Sequence, residues 1–286
     1  MKLKHFLGAI AASSLGLSFT AIPQHAQAQN AACPDPSTLT SVATPGDPTS
    51  FQSITGGSCS GTPDNYGVTI YKMGFCTSDP TPSGGALPDY SSCSLTFEDS
   101  SGSAANFAAG STFGALPASL SSTPAYGTYG YAIILISTRF NIQAQYGPIA
   151  GNTYYSTPTS TGWPASANTT GPATSNPVTA NSFGNNCDSL DSLSISAGTL
   201  TGTILNSSEE RIPDSSTAAT CTGATYILGV VALNSPITID ESVTALDATF
   251  TVTNNGTTIV IDNTGGIIFD AGPFNVTLNV VRGSAQ

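Results

Sequence analysis

The two histidines of the chain, His5 and His25, are the side chains best suited to acid–base chemistry near neutral pH, and both lie close to the N terminus. They fall inside a segment with the features of an export signal. Once that segment is removed, the protein has no histidine. It then lacks the imidazole that a Ser-His-Asp or Cys-His site needs, and the imidazole ligands common in zinc, copper and iron sites.

Residues 1–28 have the pattern of a signal peptide. Lys2 and Lys4 form a positive start, residues 6–22 are apolar or small, and Ala26-Gln27-Ala28 supplies the small-x-small cleavage pattern. The apolar stretch is short for a bilayer span, which needs about 20 residues, so we prefer a signal peptide to a membrane anchor. No later segment reaches that length. We expect a secreted, extracellular protein at the cell surface, without a transmembrane segment after cleavage.

Six cysteines follow the signal peptide, an even number that predicts three disulfides in an exported protein. No CxxC spacing is present, which argues against a metal cluster or a redox pair. Fifteen pairings are open, and the simplest joins neighbours in the sequence. The predicted bridges are Cys33 with Cys59, Cys76 with Cys93, and Cys187 with Cys221.

Carboxylates are the remaining groups that could catalyse hydrolysis. A glycosidase needs two of them about 5 to 10 Å apart across a sugar cleft, and adjacent acidic residues in a strand or turn point apart. We therefore expect no enzyme and no required cofactor. Calcium is the metal best matched to the many oxygen ligands, although no Asp-x-Asp-x-Asp-Gly loop occurs. The acidic pairs are Glu98-Asp99, Asp188 with Asp191, Glu209-Glu210 and Asp240-Glu241.

Cations are scarce after the signal peptide. Lys72, Arg139, Arg211 and Arg282 stand against 17 acidic residues, which gives a net charge of −13. Four scattered cations cannot neutralise a run of phosphates, so nucleic acids and anionic membrane surfaces are excluded as partners. Lys72 falls in a strand pattern, where we expect a lone surface lysine rather than a group that activates a serine.

The single tryptophan, Trp163, lies in a segment from 156 to 186 that is rich in Ser, Thr and Pro and almost free of apolar residues. This composition is typical of a linker or a long loop. Trp163 is a candidate contact for a partner or a sugar. The alternative, which we favour, is that its ring packs back on the protein, as tryptophan usually does.

The elements that must position these residues are strands. Residues 68–73 alternate, 132–136 form an apolar run typical of a buried central strand, and 226–233 form another. The C-terminal part predicts a meander, with hairpin turns at Asn254-Asn255-Gly256 and at 263–266. No sustained helical period appears.

The sequence therefore predicts an all-β fold of two β-sandwich-like domains, of Greek-key or meander type, cross-linked by disulfides. The first domain spans 64–155 and the second 187–286, joined by the 156–186 linker or loop. Residues 29–63 precede them as an extended N-terminal arm. A single elongated β unit is the alternative.

A histidine-free, cation-poor chain rich in Ser, Thr, Gly and Ala is similar in character to subunits of surface filaments and coats. We expect a non-enzymatic structural subunit of an extracellular assembly, such as a filament, pilus-like fibre or coat, with other copies of itself as partner. The alternative is a secreted carbohydrate-binding or adhesive module that contacts surface glycans.

Strand donation between copies is one way such a subunit can assemble. Two segments near the chain ends are candidates. The segment from Asn30 to Ser50 is extended and weakly patterned, and it could instead fold back through a bridge between Cys33 and Cys59. The C-terminal candidate assembly strand has an apolar face formed by Phe274, Val276, Leu278 and Val280.

Overall fold

A computed structural model describes residues 31–108, 122–158, 169–180, 190–213, 221–261 and 266–283. The fold is all-β, as predicted, and the named strands pair antiparallel. A short helix, α1 (Phe51–Thr55), precedes the first strand. The strands of the described residues are β1 (Ser58–Gly61), β2 (Asn65–Cys76), β3 (Cys93–Asn106), β4 (Gly127–Ser137), β5 (Arg139–Gln143), β6 (Gln145–Ile149), β7 (Asn152–Tyr155), β8 (Asn176–Thr179), β9 (Leu190–Ile195), β10 (Gly198–Leu205), β11 (Tyr226–Ile239), β12 (Val243–Thr251), β13 (Thr257–Ile261), β14 (Ile267–Ala271) and β15 (Asn275–Arg282).

The main sheet has eight strands, in the order β8-β5-β2-β4-β11-β10-β9, with β3 paired to β2. β4 and β5 follow each other beside β2, because residues 70–76 of β2 pair with β4 and residues 65–67 pair with β5. The residues from Ala132 to Ile136 are all buried. The apolar run therefore forms a central strand covered on both faces, as its composition predicts.

Two separate sandwich domains joined by a linker are not confirmed, since all three predicted regions contribute strands to the main sheet. β4, from the region 64–155, pairs with β11, from the region 187–286, between Ser137 opposite Tyr226 and Gly127 opposite Ile239. β8 lies inside the segment predicted as a linker and pairs with β5. Long-range backbone pairing of this kind leaves no local trace in the sequence.

A long ribbon forms a second layer over the main sheet. β13 pairs with β14, and β12 pairs with β15, so the chain from 243 to 261 runs alongside the chain from 267 to 282. The ribbon is interrupted where the amide groups of Asn255 and Gly256 donate to the carbonyl of Val252. Across this interruption Gly272 N–H donates to Gly256 O at 3.0 Å. A Cβ at Gly272 would overlap the carbonyl oxygen of Asn255, so glycine is required there.

The prediction of a hairpin turn at Asn254-Asn255-Gly256 is wrong. β12 and β13, which flank these residues, do not pair with each other; each pairs with a strand beyond residue 266. The turn instead allows the ribbon strand to continue, with Asn254 at a positive φ of 54°. An Asn-Gly turn favours a hairpin only when the flanking strands have no better partners.

A cluster of five buried aromatic rings holds the two layers together. Tyr66 of β2 contacts Phe107, Phe140 and Phe274, with ring centroids 5.7 to 6.4 Å apart. Phe107 stacks on Phe250 of β12 at 4.4 Å. The Tyr66 hydroxyl donates to the carbonyl of Gly272 at 2.7 Å, which satisfies the polar end of a ring that is 1% exposed. The cluster thus fixes the ribbon over the sheet.

A loop from 77 to 92 covers the other face of the main sheet, and its ends are joined by the disulfide between Cys76 and Cys93. This face has a smaller apolar cluster that includes Leu135 of β4 and Leu228 of β11, with Tyr90 packed against it. The cysteine spacing predicted this bridge. The disulfide therefore closes the loop over a sheet whose opposite face carries the main core.

The N-terminal arm is folded rather than extended. The disulfide between Cys33 and Cys59 is present, as predicted, and Cys33 N–H donates to Ser60 O at 2.9 Å. Leu39 and Phe51 are buried in the main core. The Asp47 carboxylate accepts hydrogen bonds from Thr40, Ser41 and Thr49 and organises the turn before α1. The arm packs on its own chain because its few apolar side chains find a place there.

Loss of a ring from the aromatic cluster should destabilise the whole fold. We expect Phe107→Ala to lower the free energy of unfolding by about 3–5 kcal/mol, because a fully buried ring leaves a cavity between the layers. Tyr126→Ala is the control, since Tyr126 is 72% exposed and its loss should cost less than about 0.5 kcal/mol. Urea unfolding followed by fluorescence measures both. Equal losses of stability in the two variants would contradict the conclusion that the aromatic cluster holds the two layers together.

The arm should loosen in acid. Hydrogen bonds from Thr40, Thr49 and Ser41 lower the pKa of Asp47. A lowered pKa in the folded state contributes stability above the ordinary carboxyl pKa of about 3.9, and this contribution is lost as the pH falls through the lower, folded-state value. We expect Asp47→Asn to reduce the urea midpoint at pH 6, with the difference from the native protein shrinking toward pH 2. A stability difference between Asp47→Asn and the native protein that grows as the pH falls would contradict a lowered pKa of Asp47.

Candidate functional site

An apolar cleft of about 450 Å³ lies between the main sheet and the β12–β15 pair. We call it the β12 cleft. Its floor is formed by side chains of β2, β3, β4 and β11, including Met73, Phe97, Ile134 and Val231. Its roof is formed by the inward face of β12 and β15, including Leu246, Phe250, Val276 and Leu278. The floor and the roof of the cleft therefore come from segments of the chain that lie far apart in the sequence.

The rim of the β12 cleft is polar but carries no positive charge among the described residues that line it. Thr96, Ser122, Thr123, Thr244 and Asp247 contribute the polar groups. Ser122 N–H donates to the carbonyl of Thr96 at 2.8 Å, which holds this part of the rim against β3. Without a cation, the rim has no group to bind a carboxylate or phosphate of a ligand.

One edge of β12 has no strand partner in the part of the chain that the structure describes. β15 pairs with one edge of β12, and the two form an isolated pair. Further along the ribbon, β1 pairs with the edge of β13 that faces away from β14. The continuation of that edge along β12 borders the β12 cleft. A strand edge without a strand partner among the described residues and an apolar cleft thus occur side by side.

The predicted assembly strand forms part of this site. Phe274 belongs to the aromatic cluster, and Val276 and Leu278 line the roof of the β12 cleft. Val280 lies opposite Leu246 in the β12–β15 pair. Residues 31–50 of the arm also pack against the rest of their own chain, through the Cys33–Cys59 disulfide and the buried side chain of Leu39. In this structure both candidate donor segments are therefore parts of the fold, and β12 and β15 each have one edge without a strand partner among the described residues.

Lys72 is an ion-pair residue and not the free surface lysine that the strand pattern suggested. Its Nζ contacts both carboxylate oxygens of Glu209, at 2.6 and 2.7 Å, and its side chain is 16% exposed. It also lies 5.0 Å from the centre of the Tyr90 ring. Burial, and then the nearby Glu209 and Glu98 carboxylates, raise the pKa of Tyr90. The cluster connects β2 to the turn after β10.

The acidic pairs serve local structure where they are described. Asp240 accepts hydrogen bonds from Ser242 and from Arg282, and these contacts lower its pKa. Glu209, at a positive φ of 63°, faces Lys72. Asp188 lies outside the described residues. Within the described ranges, no three His, Cys, Asp or Glu side chains group as metal ligands.

Trp163 and Cys187 also lie outside the described residues, so their predicted roles stay predictions. Cys221 is disulfide-bonded, with Cys187 as its predicted partner. Sequence reasoning missed the β12 cleft, because it results from packing between distant strands. The alternation of Leu246, Ala248 and Phe250 indicates a strand with one apolar side, but not that a cleft lies beneath it.

Comparisons with known proteins provide no relative: no family model, no curated protein and no solved structure matches the chain. In the described ranges, no helix has the length and apolar character to span a bilayer. The candidate site therefore rests on its own geometry.

The two ion pairs should contribute different amounts to the free energy of unfolding. Lys72→Ala should lower the free energy of unfolding by roughly 1–3 kcal/mol, because it leaves the half-buried Glu209 carboxylate without its charged partner. Arg282→Ala should cost less than about 1 kcal/mol, since its pair with Asp240 is on the surface, with side chains 43% and 47% exposed. Chemical denaturation of both variants measures this, and a larger loss for Arg282→Ala would contradict the assignment.

Proposed function

We propose that this protein is a non-enzymatic, secreted structural subunit of an extracellular surface assembly, such as a filament, pilus-like fibre or coat. The partner is a second copy of the same chain. The observation that carries the proposal is the β12 cleft beside the edge of β12 that has no strand partner in the described part of the chain. Such an edge is a template for backbone pairing, and evolution either blocks it or uses it.

Two of the usual devices that block a sheet edge, proline and lysine, are absent from β12, and its pairing with β15 shifts in register between Val243 and Ala245. The strand, Val243–Thr251, has Asp247 as its only charged residue. Its exposed residues include Thr244, Ala245 and Thr249, which are small and suited to close strand packing. An edge of this composition favours association with another polypeptide segment.

A protein segment fits the site better than a small apolar molecule. A hydrocarbon ligand would use the apolar walls but would leave the backbone groups of β12 unpaired. A lipid with an acidic head group would also need a cation at the rim, and the described rim residues provide none. An extended segment with an apolar side chain satisfies both the edge and the walls.

The rest of the chain is consistent with a durable building block. Two disulfides have both cysteines within the described residues, one at the arm and one at the 77–92 loop. Each is expected to contribute on the order of 3 kcal/mol by restricting the unfolded chain. The five buried aromatic rings that hold the second layer on the main sheet add to this stability.

A carbohydrate-binding or adhesive module is the alternative function. Its candidate contact, Trp163, lies outside the described residues. A protein that stays monomeric at high concentration, with no ordered structure on the producing cells, and that binds surface glycans would establish this alternative and refute the assembly.

A charge in the β12 cleft should weaken assembly. We expect Leu246→Asp to raise the concentration needed for assembly at least about tenfold, the equivalent of ~1.4 kcal/mol per contact, because a carboxylate would be buried against apolar walls. Sedimentation velocity and negative-stain electron microscopy of the purified protein measure this.

Val281→Asp is the matched control. Val281 lies on β15 in the same strand pair but outside the described lining of the cleft, and it is already 37% exposed. It should assemble like the native protein. Circular dichroism and thermal unfolding must show that both variants are folded. Normal assembly of a folded Leu246→Asp protein would overturn the proposed site.

A further inference from the structure

We propose that the side chains of Lys72 and Glu209 condense into an amide, which becomes a covalent cross-link between β2 and the turn that follows β10. The reaction needs only the folded chain, since it joins an amine to a carboxylate and releases water. The inference goes beyond the proposed function, because the bond forms inside one subunit whether or not subunits assemble.

The two reacting groups are in contact and largely withdrawn from solvent. Lys72 Nζ lies 2.6 and 2.7 Å from the two carboxylate oxygens of Glu209. A nitrogen that contacts both oxygens also faces the carbon between them, and rotation about the last side-chain bond turns that carbon toward the nitrogen. The two side chains are 16% and 28% exposed. Such proximity is what well-oriented intramolecular reactions require.

Both groups are held by rigid backbone. Lys72 lies within β2, where β3 and β4 pair with its two edges. Glu209 lies in a closed turn, in which its N–H donates to Asn206 O at 3.0 Å and Asn206 N–H donates to Glu210 O at 2.9 Å. The φ of Glu209, 63°, is uncommon for a residue with a side chain, and such strain concentrates at functional sites. Groups held in this way react with effective molarities of about 10⁵–10⁸ M, which favours the amide.

Two groups beside the pair are suited to move protons and to stabilise charge. Glu98 is directly opposite Lys72 in the β2–β3 pair, so the two side chains extend from the same face of the sheet. The Tyr90 hydroxyl is buried without a well-formed hydrogen bond to any described residue. Burial raises the pKa of Tyr90, and the nearby Glu209 and Glu98 carboxylates raise it further. A buried hydroxyl without a partner calls for an explanation, and a role in this reaction supplies one.

The reaction balances with water as its only by-product. A first ammonium proton passes from Lys72 to the Glu98 carboxylate, and the neutral amine attacks the carboxylate carbon of Glu209. A nitrogen–carbon bond forms, while the Tyr90 hydroxyl donates a hydrogen bond to the oxygen that stays. The bond from that carbon to the other oxygen then breaks. The leaving oxygen takes the proton held by Glu98 and a second proton from the nitrogen, and departs as water.

The cross-link joins distant parts of the chain. Lys72 and Glu209 are separated by 137 residues, whereas the disulfides at the arm and at the 77–92 loop join cysteines separated by 26 and 17 residues. β2 and β10 lie on either side of the β4–β11 pair, so the bond spans the centre of the main sheet. A bridge that closes a long loop restricts the unfolded chain more strongly than a short one. Unlike a disulfide, an amide is also not broken by thiols.

Intact mass spectrometry of the purified, folded protein tests the inference. We expect a mass about 18 Da, one water, below that of the same chain with its disulfides formed. Digestion with a protease specific for apolar residues should yield one branched peptide that contains both Lys72 and Glu209. Lys72→Met and Glu209→Ala should each show the full mass, because one reacting group is missing. A native protein of full mass, without the branched peptide, overturns the inference.

Arg282→Lys is the matched control for the site. It places an amine beside Asp240, in a pair whose side chains are 43% and 47% exposed. We expect the same single loss of water as in the native protein, because this pair is open to solvent. A second loss of water in the variant would show that any lysine beside a carboxylate condenses, and would refute the role assigned to the enclosed site.

The proton-transfer roles are tested by the rate of cross-linking after refolding from denaturant, followed by mass. Glu98→Gln and Tyr90→Phe should each slow the loss of water at least about tenfold, because they remove the proton carrier and the hydrogen-bond donor. Circular dichroism must show that both variants are folded. Unchanged rates in both folded variants would contradict these roles.

Discussion

Backbone hydrogen bonds between β4 and β11 join stretches of chain as far apart in sequence as Ile134 and Gly229. Every other strand of the main sheet lies outward from this pair, with β2, β3, β5 and β8 on one side and β10 and β9 on the other. Gly229 lets the neighbouring strands approach closely, since a Cβ there would lie 3.1 Å from Ile134 and 3.2 Å from Leu200. The pairing of β4 with β11 therefore places strands from both predicted domains in one sheet.

The β12 cleft follows from the unequal width of the two layers. Strands in a sheet are about 4.8 Å apart, so the four floor strands from β3 to β11 present a wider apolar surface than the two strands of the roof can cover. Near β13 the additional strand β1 widens the roof, and the aromatic cluster fills the interior. Along β12 no such strand is present in the described residues, and apolar surface of the floor stays open.

Local sequence patterns predicted the strands better than their partners. The runs at 132–136 and 226–233 carry their own burial signal, and the Cys33–Cys59 and Cys76–Cys93 bridges join near neighbours. The pairing of β12 with β15 instead of β13 depends on contacts with the sheet, which the Asn-Asn-Gly turn does not encode. The cleft was beyond prediction for the same reason.

The ion pair of Lys72 with Glu209 has a practical consequence for detecting the protein. Lys72 is the only lysine after residue 28, and its amine is held by both carboxylate oxygens. In that region, amine-reactive dyes, biotin esters and aldehyde fixatives therefore have one lysine side chain to label, and it is held in an ion pair. Trypsin has only Lys72, Arg139, Arg211 and Arg282 to cleave after in that region, which produces very long peptides. Standard peptide mass spectrometry would therefore undercount this region, and a protease specific for apolar or acidic residues would recover it.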